Sequence, residues 1–132
     1  MSIDNIKVGD YARSYDGYIA RCKRFYSYDN FIHFDRDIID THFEPTNYFD
    51  KKDIKKYIKV VSPNIMDLVE EYDYIKLDGW GNKKLWRVVK APYGKLMIED
   101  DGWNELEDFE DEKIIGIITH EQMETMEYKI ES

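Results

Sequence analysis

Short apolar runs separated by turn residues dominate the chain and predict a fold made mainly of strands. Residues 18–26, 31–35, 95–99 and 113–118 are rich in β-branched and aromatic side chains, which favour strands. The last of these carries four isoleucines around one glycine, which indicates a buried closing strand rather than a helix. Neither half has a long amphipathic pattern, and residues 50–57 predict only a short helix.

A weak internal repeat runs through this pattern. Residues 58–67 align with residues 115–124, and each segment has an apolar run followed by a short helical turn. Ser62 and Thr119 precede these turns, where a side-chain oxygen can cap the first backbone N–H groups. Looser matches pair residues 8–11 with 71–74, 16–17 with 78–79, and 19–24 with 85–90.

We therefore expect two units, residues 1–67 and residues 68–132. Each would begin with a strand, turn at Asp-Gly, return on further strands and end in a closing strand capped by a turn of helix. Asp-Gly favours hairpins because both residues tolerate positive φ. The alternative is a coincidental likeness between two β-rich halves.

The opening of the chain resembles a known barrel family. Residues 7–13 (Lys-Val-Gly-Asp-Tyr-Ala-Arg) and 16–21 (Asp-Gly-Tyr-Ile-Ala-Arg) look like the start of SH3-like barrels of the KOW and Tudor kind. The chain as a whole resembles small uncharacterised proteins of Firmicutes phages and prophages, through this opening and through residues 62–70 and 117–130. In the second half, Tyr72 stands where the barrel opening would have glycine.

This resemblance implies a phage accessory protein that is mainly β. It would consist of two small SH3-like barrel units with short helical turns, packed as one body. The resemblance carries over no catalytic residue.

Composition narrows the classes of function. The chain has 132 residues and a net charge of -9, which argues against a general nucleic-acid binder with a basic face. Its single cysteine, Cys22, excludes an internal disulfide and favours the cytoplasm, here that of a bacterial host. We expect no membrane span, no signal peptide and no membrane partner.

The negative charge is concentrated in the second half. Residues 1–66 have a net charge of +1, whereas residues 67–132 have a net charge of -10. Residues 99–112, called the acidic segment below, hold 9 carboxylates in 14 residues and no basic side chain. Such a segment produces a field strong enough to act at a distance. Trp103, Leu106 and Phe109 recur at three-residue spacing within it and could hold it to the body of the protein.

The leading hypothesis is a non-enzymatic inhibitor that mimics nucleic acid. An array of carboxylates can occupy a groove whose Arg and Lys side chains bind phosphates. The partner would be a host nucleic-acid-handling protein, with a CRISPR nuclease as the most concrete candidate, because anti-CRISPR proteins are also small, often acidic and without enzymatic motifs. The predicted partner-binding residues are Glu99, Asp100, Asp101, Trp103, Glu105, Glu107, Asp108, Phe109, Glu110, Asp111 and Glu112.

Two other interpretations of the acidic segment stay open. It could be a solvated loop that keeps a small protein soluble. Alternatively, five of its carboxylates could bind a hard cation, although the EF-hand spacing is absent: Asp100, Asp101, Glu105, Glu107 and Asp108. We expect no metal and no cofactor.

The aromatic first unit supports a competing hypothesis. Its rings could read a single-stranded nucleic acid by stacking, or a modified peptide by cation–π attraction. The candidate ligand-binding residues are Tyr11, Arg13, Tyr15, Tyr18, Tyr26 and Tyr28. The alternative is that a small β domain needs these large rings to fill its core.

A third hypothesis is an enzyme. On a strand, His33, Asp35 and Asp37 would share one face and place a base beside carboxylates. No nucleophile accompanies them, so we expect no catalytic residues. His120 falls in the first turn of a predicted helix, which favours a surface or capping position. We expect a monomer or dimer.

Overall fold

The computed structural model describes residues 5–26, 28, 30–40, 45–77, 85–99, 105–106 and 114–126. The described chain is mainly β, as the sequence predicts, and its sheets are antiparallel. Contacts within the chain divide it into two units, Met1–Leu68 and Val69–Ser132. Within the described residues, no helix is long and apolar enough to cross a membrane.

Unit 1 contains a five-stranded sheet and a two-stranded ribbon. Its strands are β1 (Tyr11–Ser14), β2 (Ile19–Tyr26), β3 (Phe31–Phe34), β4 (Ile39–Asp40), β5 (Pro45–Thr46), β6 (Tyr48–Asp50) and β7 (Ile58–Ser62). The sheet order is β6-β3-β2-β1-β7, and β4 pairs with β5. The first three strands thus form a meander, and the last strand returns to pair with the first.

The predicted Asp-Gly turn joins β1 to β2. Gly17 adopts a φ of +87°, which L side chains rarely adopt, and its N–H donates to the carbonyl of Ser14 at 3.1 Å. The Ser14 N–H donates to the carbonyl of Tyr18 at 2.9 Å. This three-residue loop ends with a residue in the left-handed region, which matches the right-handed twist of the flanking strands.

The helix predicted over residues 50–57 is confirmed. The Asp50 carboxylate accepts from the Lys52 N–H at 3.0 Å and caps a 3₁₀ turn, Lys51–Asp53, which runs into α1 (Ile54–Tyr57). Ile54 buries its side chain in the core, so this short helix is held by packing rather than by its own hydrogen bonds.

Buried side chains of the strands and of α1 contribute to the core of unit 1. Its buried side chains are Ile6, Ala12, Ala20, Cys22, Ile32, Phe34, Ile38, Ile39, Phe49, Ile54, Ile58 and Val61. Tyr18, Phe25 and Tyr57 pack against this cluster, which bears out the expectation that rings help fill a small core.

Unit 2 repeats the meander. Its elements are β8 (Tyr74–Leu77), β9 (Trp86–Lys90), β10 (Leu96–Ile98), β11 (Ile114–Ile118) and α2 (His120–Met126). The sheet order is β10-β9-β8-β11, so the closing strand again pairs with the first strand of its unit. The predicted turn at residues 78–79 lies outside the described residues.

Hydrogen bonds place the residues matched by the looser repeat in equivalent positions. The N–H of Gly9 donates to the carbonyl of Cys22 at 2.8 Å, and the N–H of Cys22 donates to the carbonyl of Asp10 at 2.7 Å. In unit 2, Tyr72, Val88 and Asp73 make the same two bonds at 2.7 and 2.8 Å.

Gly9 and Tyr72 share a conformation despite their different side chains. Their φ angles are +97° and +75°. Tyr72, the departure from the barrel opening, therefore adopts a backbone that ordinarily favours glycine.

Candidate functional site

The acidic segment is described at three positions, Glu99, Glu105 and Leu106. The other predicted partner-binding residues lie outside the described residues: Asp100, Asp101, Trp103, Glu107, Asp108, Phe109, Glu110, Asp111 and Glu112.

Glu105 and Leu106 are held against the sheet of unit 2. Glu105 forms an antiparallel bridge with Met97 of β10. Its carboxylate accepts from the Tyr93 hydroxyl at 3.1 Å and lies 3.8 Å from the Lys95 ammonium. Leu106 is 3% exposed, so the predicted apolar anchoring of the segment is observed at this residue.

Glu99 follows β10 directly and is exposed. Its N–H donates to the carbonyl of Arg87 at 2.8 Å, and its carboxylate lies 3.7 Å from the Arg87 guanidinium. Both groups of this ion pair are about half exposed, and such pairs contribute little stability, roughly 0–1 kcal/mol. The backbone bond and the burial of Leu106 therefore do more to position the segment than its ion pairs.

The aromatic candidates of unit 1 whose side chains are described differ in their exposure. Tyr15 and Tyr28 are exposed, Tyr28 by 85%, whereas Tyr18 packs against the core. The Arg21 guanidinium lies 5.1 Å from the ring centroid of Tyr11. The side chain of Tyr26 lies outside the described part of the chain.

Arg13 lies in the interior, not on a ligand-binding surface. It is 0% exposed, and its Nη1 donates to the carbonyl of Leu68 at 2.8 Å. Its burial corrects the expectation that this guanidinium meets a ligand.

A different aromatic row, which the sequence did not reveal, crosses unit 1. The register pairs Arg24 of β2 with His33 of β3, and His33 with Tyr48 of β6, so the three side chains share one face. The rings of His33 and Tyr48 stack with centroids 5.6 Å apart and planes at 20°. Tyr48 is 50% exposed. Only cross-strand register assembles this row, and a single sequence carries no local signal for register.

The predicted common face of His33, Asp35 and Asp37 requires a strand that continues through residue 37, but β3 is shorter. The strand stops at Phe34, so strand alternation does not extend to Asp35 and Asp37. The Asp35 carboxylate accepts from the Arg21 N–H at 3.0 Å, while His33 stacks on Tyr48.

Three side chains of types that can ligate a metal lie close together in unit 2. Nε2 of His120 is 3.3 Å from a carboxylate oxygen of Glu70 and 3.2 Å from one of Glu121. The three ligand atoms lie within 4.8 Å of one another, and all three residues are partly buried. The sequence prediction treated His120 only as a surface or capping residue. Since Glu70 lies 50 positions away, spacing along the chain gave no sign of the cluster.

Cys22 is a buried thiol with a perturbed pKa. Burial raises the pKa of Cys22 to about 11, and the nearby Asp10 carboxylate adds to the rise. A thiol that stays protonated is a poor nucleophile, so this position favours packing over chemistry.

Comparison of the chain with protein-family models, curated proteins and solved structures finds no match.

Proposed function

We propose that the chain is a non-enzymatic binding protein of the phage type whose acidic segment occupies a phosphate-binding groove of a host nucleic-acid-handling enzyme. The observation that carries this proposal is the net charge of -10 on residues 67–132. The attachment of Glu99 and Glu105 to the sheet of unit 2 supports it. A CRISPR nuclease is the most concrete partner, and the bacterial cytoplasm is the corresponding location.

The same proposal includes the fold of each unit, which we propose is an SH3-like barrel. In each unit a three-strand meander is followed by a closing strand that pairs with the first strand. In unit 1 a short helical turn, residues 51–57, precedes that closing strand. This order supports two SH3-like barrels in tandem, a fold that hosts many binding functions.

Electrostatics explains how such a protein would act. A groove lined with Arg and Lys attracts carboxylates for the reason that it attracts phosphates, and binding releases the counterions of both surfaces. Attachment of Glu99, Glu105 and Leu106 to the sheet lowers the entropy lost on binding, because fewer backbone torsions must be ordered. Binding of this kind weakens as the salt concentration rises.

Capture of partners from a Firmicutes lysate tests the proposal when charge-matched variants are compared. The tagged full chain is eluted in steps of rising salt, and the released proteins are identified by mass spectrometry. One variant carries Asp100→Asn, Asp101→Asn, Glu107→Gln and Asp108→Asn. The control carries Asp4→Asn, Asp16→Asn, Asp37→Asn and Asp53→Asn, which remove the same four charges from unit 1.

We expect the wild-type chain and the control to retain one nucleic-acid enzyme that elutes at moderate salt, and the segment variant to lose it. Equal loss in both variants would assign binding to net charge alone. Retention of the enzyme by the segment variant would show that the acidic segment is not the binding surface.

The row of Arg24, His33 and Tyr48 favours a second candidate function, which is stacking on a single-stranded nucleic acid. Rings on a sheet face stack on bases, and a neighbouring guanidinium can bind phosphate. Fluorescence anisotropy of a labelled single-stranded oligonucleotide with the full chain tests this. Tyr48→Ala should then weaken binding while Tyr15→Ala, on the β1–β2 turn, should not; no binding by the wild-type chain excludes this function.

A further inference from the structure

We infer that Glu70, His120 and Glu121 form a binding site for a divalent transition metal, with Zn²⁺ as its best ion. One imidazole nitrogen faces two carboxylate oxygens at 3.3 and 3.2 Å. A single Nε2–H cannot point at both oxygens with good geometry, whereas a cation bound among the three atoms interacts with all of them.

The two distances agree with tetrahedral coordination. Zn–N and Zn–O bonds of about 2.0–2.1 Å place the ligand atoms of a tetrahedron roughly 3.3–3.4 Å apart. Both His–Glu separations are already close to that edge length. The two carboxylate oxygens lie within 4.8 Å of each other, which side-chain rotation can shorten.

A buried carboxylate positions the two segments that supply these ligands. Asp73 is 0% exposed. One of its oxygens accepts from the backbone N–H of Glu70 at 2.8 Å, and the other accepts from that of His120 at 2.9 Å. These two hydrogen bonds fix the backbone positions of Glu70 and His120 relative to each other, so two of the three ligand residues are positioned by a group outside the ligand set.

The internal repeat provides an independent comparison. Asp10 of unit 1 matches Asp73 and likewise accepts from the N–H three residues earlier, that of Lys7, at 2.9 Å. By the repeat alignment, Lys7, Pro63 and Asn64 stand where unit 2 has Glu70, His120 and Glu121. Unit 1 therefore has the buried carboxylate but not the three candidate metal ligands. The fold shared by the two units does not by itself require Glu, His and Glu at these positions of unit 2.

The chemistry of the three ligand atoms, one imidazole nitrogen and two carboxylate oxygens, indicates which metal ion the site would prefer. An imidazole nitrogen favours Zn²⁺ and its neighbours over Mg²⁺ and Ca²⁺, which prefer oxygen ligands throughout. Three protein ligands leave the fourth tetrahedral position for water or for a side chain of a partner.

Isothermal titration of the full chain with ZnCl₂ in a chelator-free buffer tests the site, and the visible absorption of bound Co²⁺ reports its geometry. The informative variants are His120→Gln, Glu70→Gln and Glu121→Gln. Glu71→Gln is the matched control, because it removes the same charge from the adjacent residue. Circular dichroism establishes that each variant is folded.

We expect one equivalent of Zn²⁺ per chain, at least about tenfold weaker binding in each ligand variant, and no change in the control. Mg²⁺ should not compete. Three results would overturn the site: no binding by the wild-type chain, undiminished binding by His120→Gln, or equal losses in Glu70→Gln and Glu71→Gln. Binding held only by the acidic segment would give the second result.

Discussion

Asp10 and Asp73 occupy equivalent positions in the two units. Each is buried, each accepts a hydrogen bond from the backbone N–H three residues earlier, and each donates its own N–H to the carbonyl of that residue. The carbonyl of each also accepts from the second strand of its unit, from Cys22 or Val88. The matching hydrogen bonds of Asp10 and Asp73 are stronger evidence for a structural repeat than the sequence similarity of the two halves.

Replacement of either carboxylate by alanine should destabilise its unit. Asp10→Ala leaves one partly buried backbone N–H without its acceptor and Asp73→Ala leaves two, at a cost of about 1–3 kcal/mol for each N–H. Urea unfolding followed by circular dichroism measures the loss in either unit, and the fluorescence of Trp80, Trp86 and Trp103 reports on unit 2. Asp37→Ala, which removes an exposed carboxylate of the same unit as Asp10, is the control and should leave the midpoint unchanged. An unchanged midpoint in both buried variants would contradict this role.

Gly9→Ala should destabilise the protein because of its backbone conformation. The φ of Gly9 is +97°, and among the described residues an added Cβ would meet the end of Arg21 at 3.9 Å, which is ordinary contact, so strain rather than crowding sets the cost. We expect a loss of about 1–2 kcal/mol in the free energy of unfolding.

Gly116→Ala provides the control for that measurement. Gly116 has no positive φ, and its added Cβ would make ordinary contacts with Lys76 at 3.7–3.9 Å. Equal effects of the two substitutions in chemical denaturation would show that the φ of Gly9 does not matter.

Cys22 should resist thiol reagents while the protein is folded. Burial raises its pKa from 9.0 to about 11, so the reactive thiolate is scarce at neutral pH. The native protein should react slowly with an aromatic disulfide reagent, and the protein unfolded in guanidinium should react at once. Rapid reaction of the native protein would contradict the burial of this side chain.

The raised pKa of Cys22 also affects the stability of the protein at alkaline pH. A folded pKa above the unfolded one means that the native state retains the proton longer. The free energy of unfolding should therefore fall as pH rises from about 9 to about 11. Cys22→Ala should reduce this fall in denaturation curves recorded across that range.

Leu106 should control the placement of the acidic segment. Truncation of this buried side chain, Leu106→Ala, should cost about 2–5 kcal/mol in the stability of unit 2 and weaken partner binding. Tyr93→Phe removes the hydroxyl that donates to Glu105 and to Sδ of Met97 but keeps the ring, and it should have a smaller effect on stability. Thermal unfolding of both variants separates the two contributions.

Local patterns predicted much of the secondary structure. The strands around Cys22, Phe34 and Met97 and the helical turn after Asp50 follow from strand propensity and capping, which act over a few residues. The repeat also matched Cys22 with Val88, and their backbone hydrogen bonds show that this alignment is in register.

The side-chain clusters depend on contacts between distant residues, which single-sequence patterns do not contain. The sequence around Arg13 predicts a surface cation beside aromatic residues. Its guanidinium is instead buried and donates to the carbonyl of Leu68, 55 positions away. His120 meets Glu70 only because β11 pairs with β8 and brings α2 back to the start of unit 2. The row of Arg24, His33 and Tyr48 likewise depends on strand register.

Displacement of DNA from the captured enzyme tests the central claim most directly. A fluorescent duplex bound to that enzyme is titrated with the wild-type chain and the two charge-matched variants at several salt concentrations. The wild-type chain and the unit 1 control should displace the duplex competitively and less well at higher salt. The segment variant should be at least about 100-fold weaker, since close charge pairs across an interface contribute about 1.5 kcal/mol or more each. Simultaneous binding of duplex and chain to the enzyme would contradict occupation of the phosphate groove.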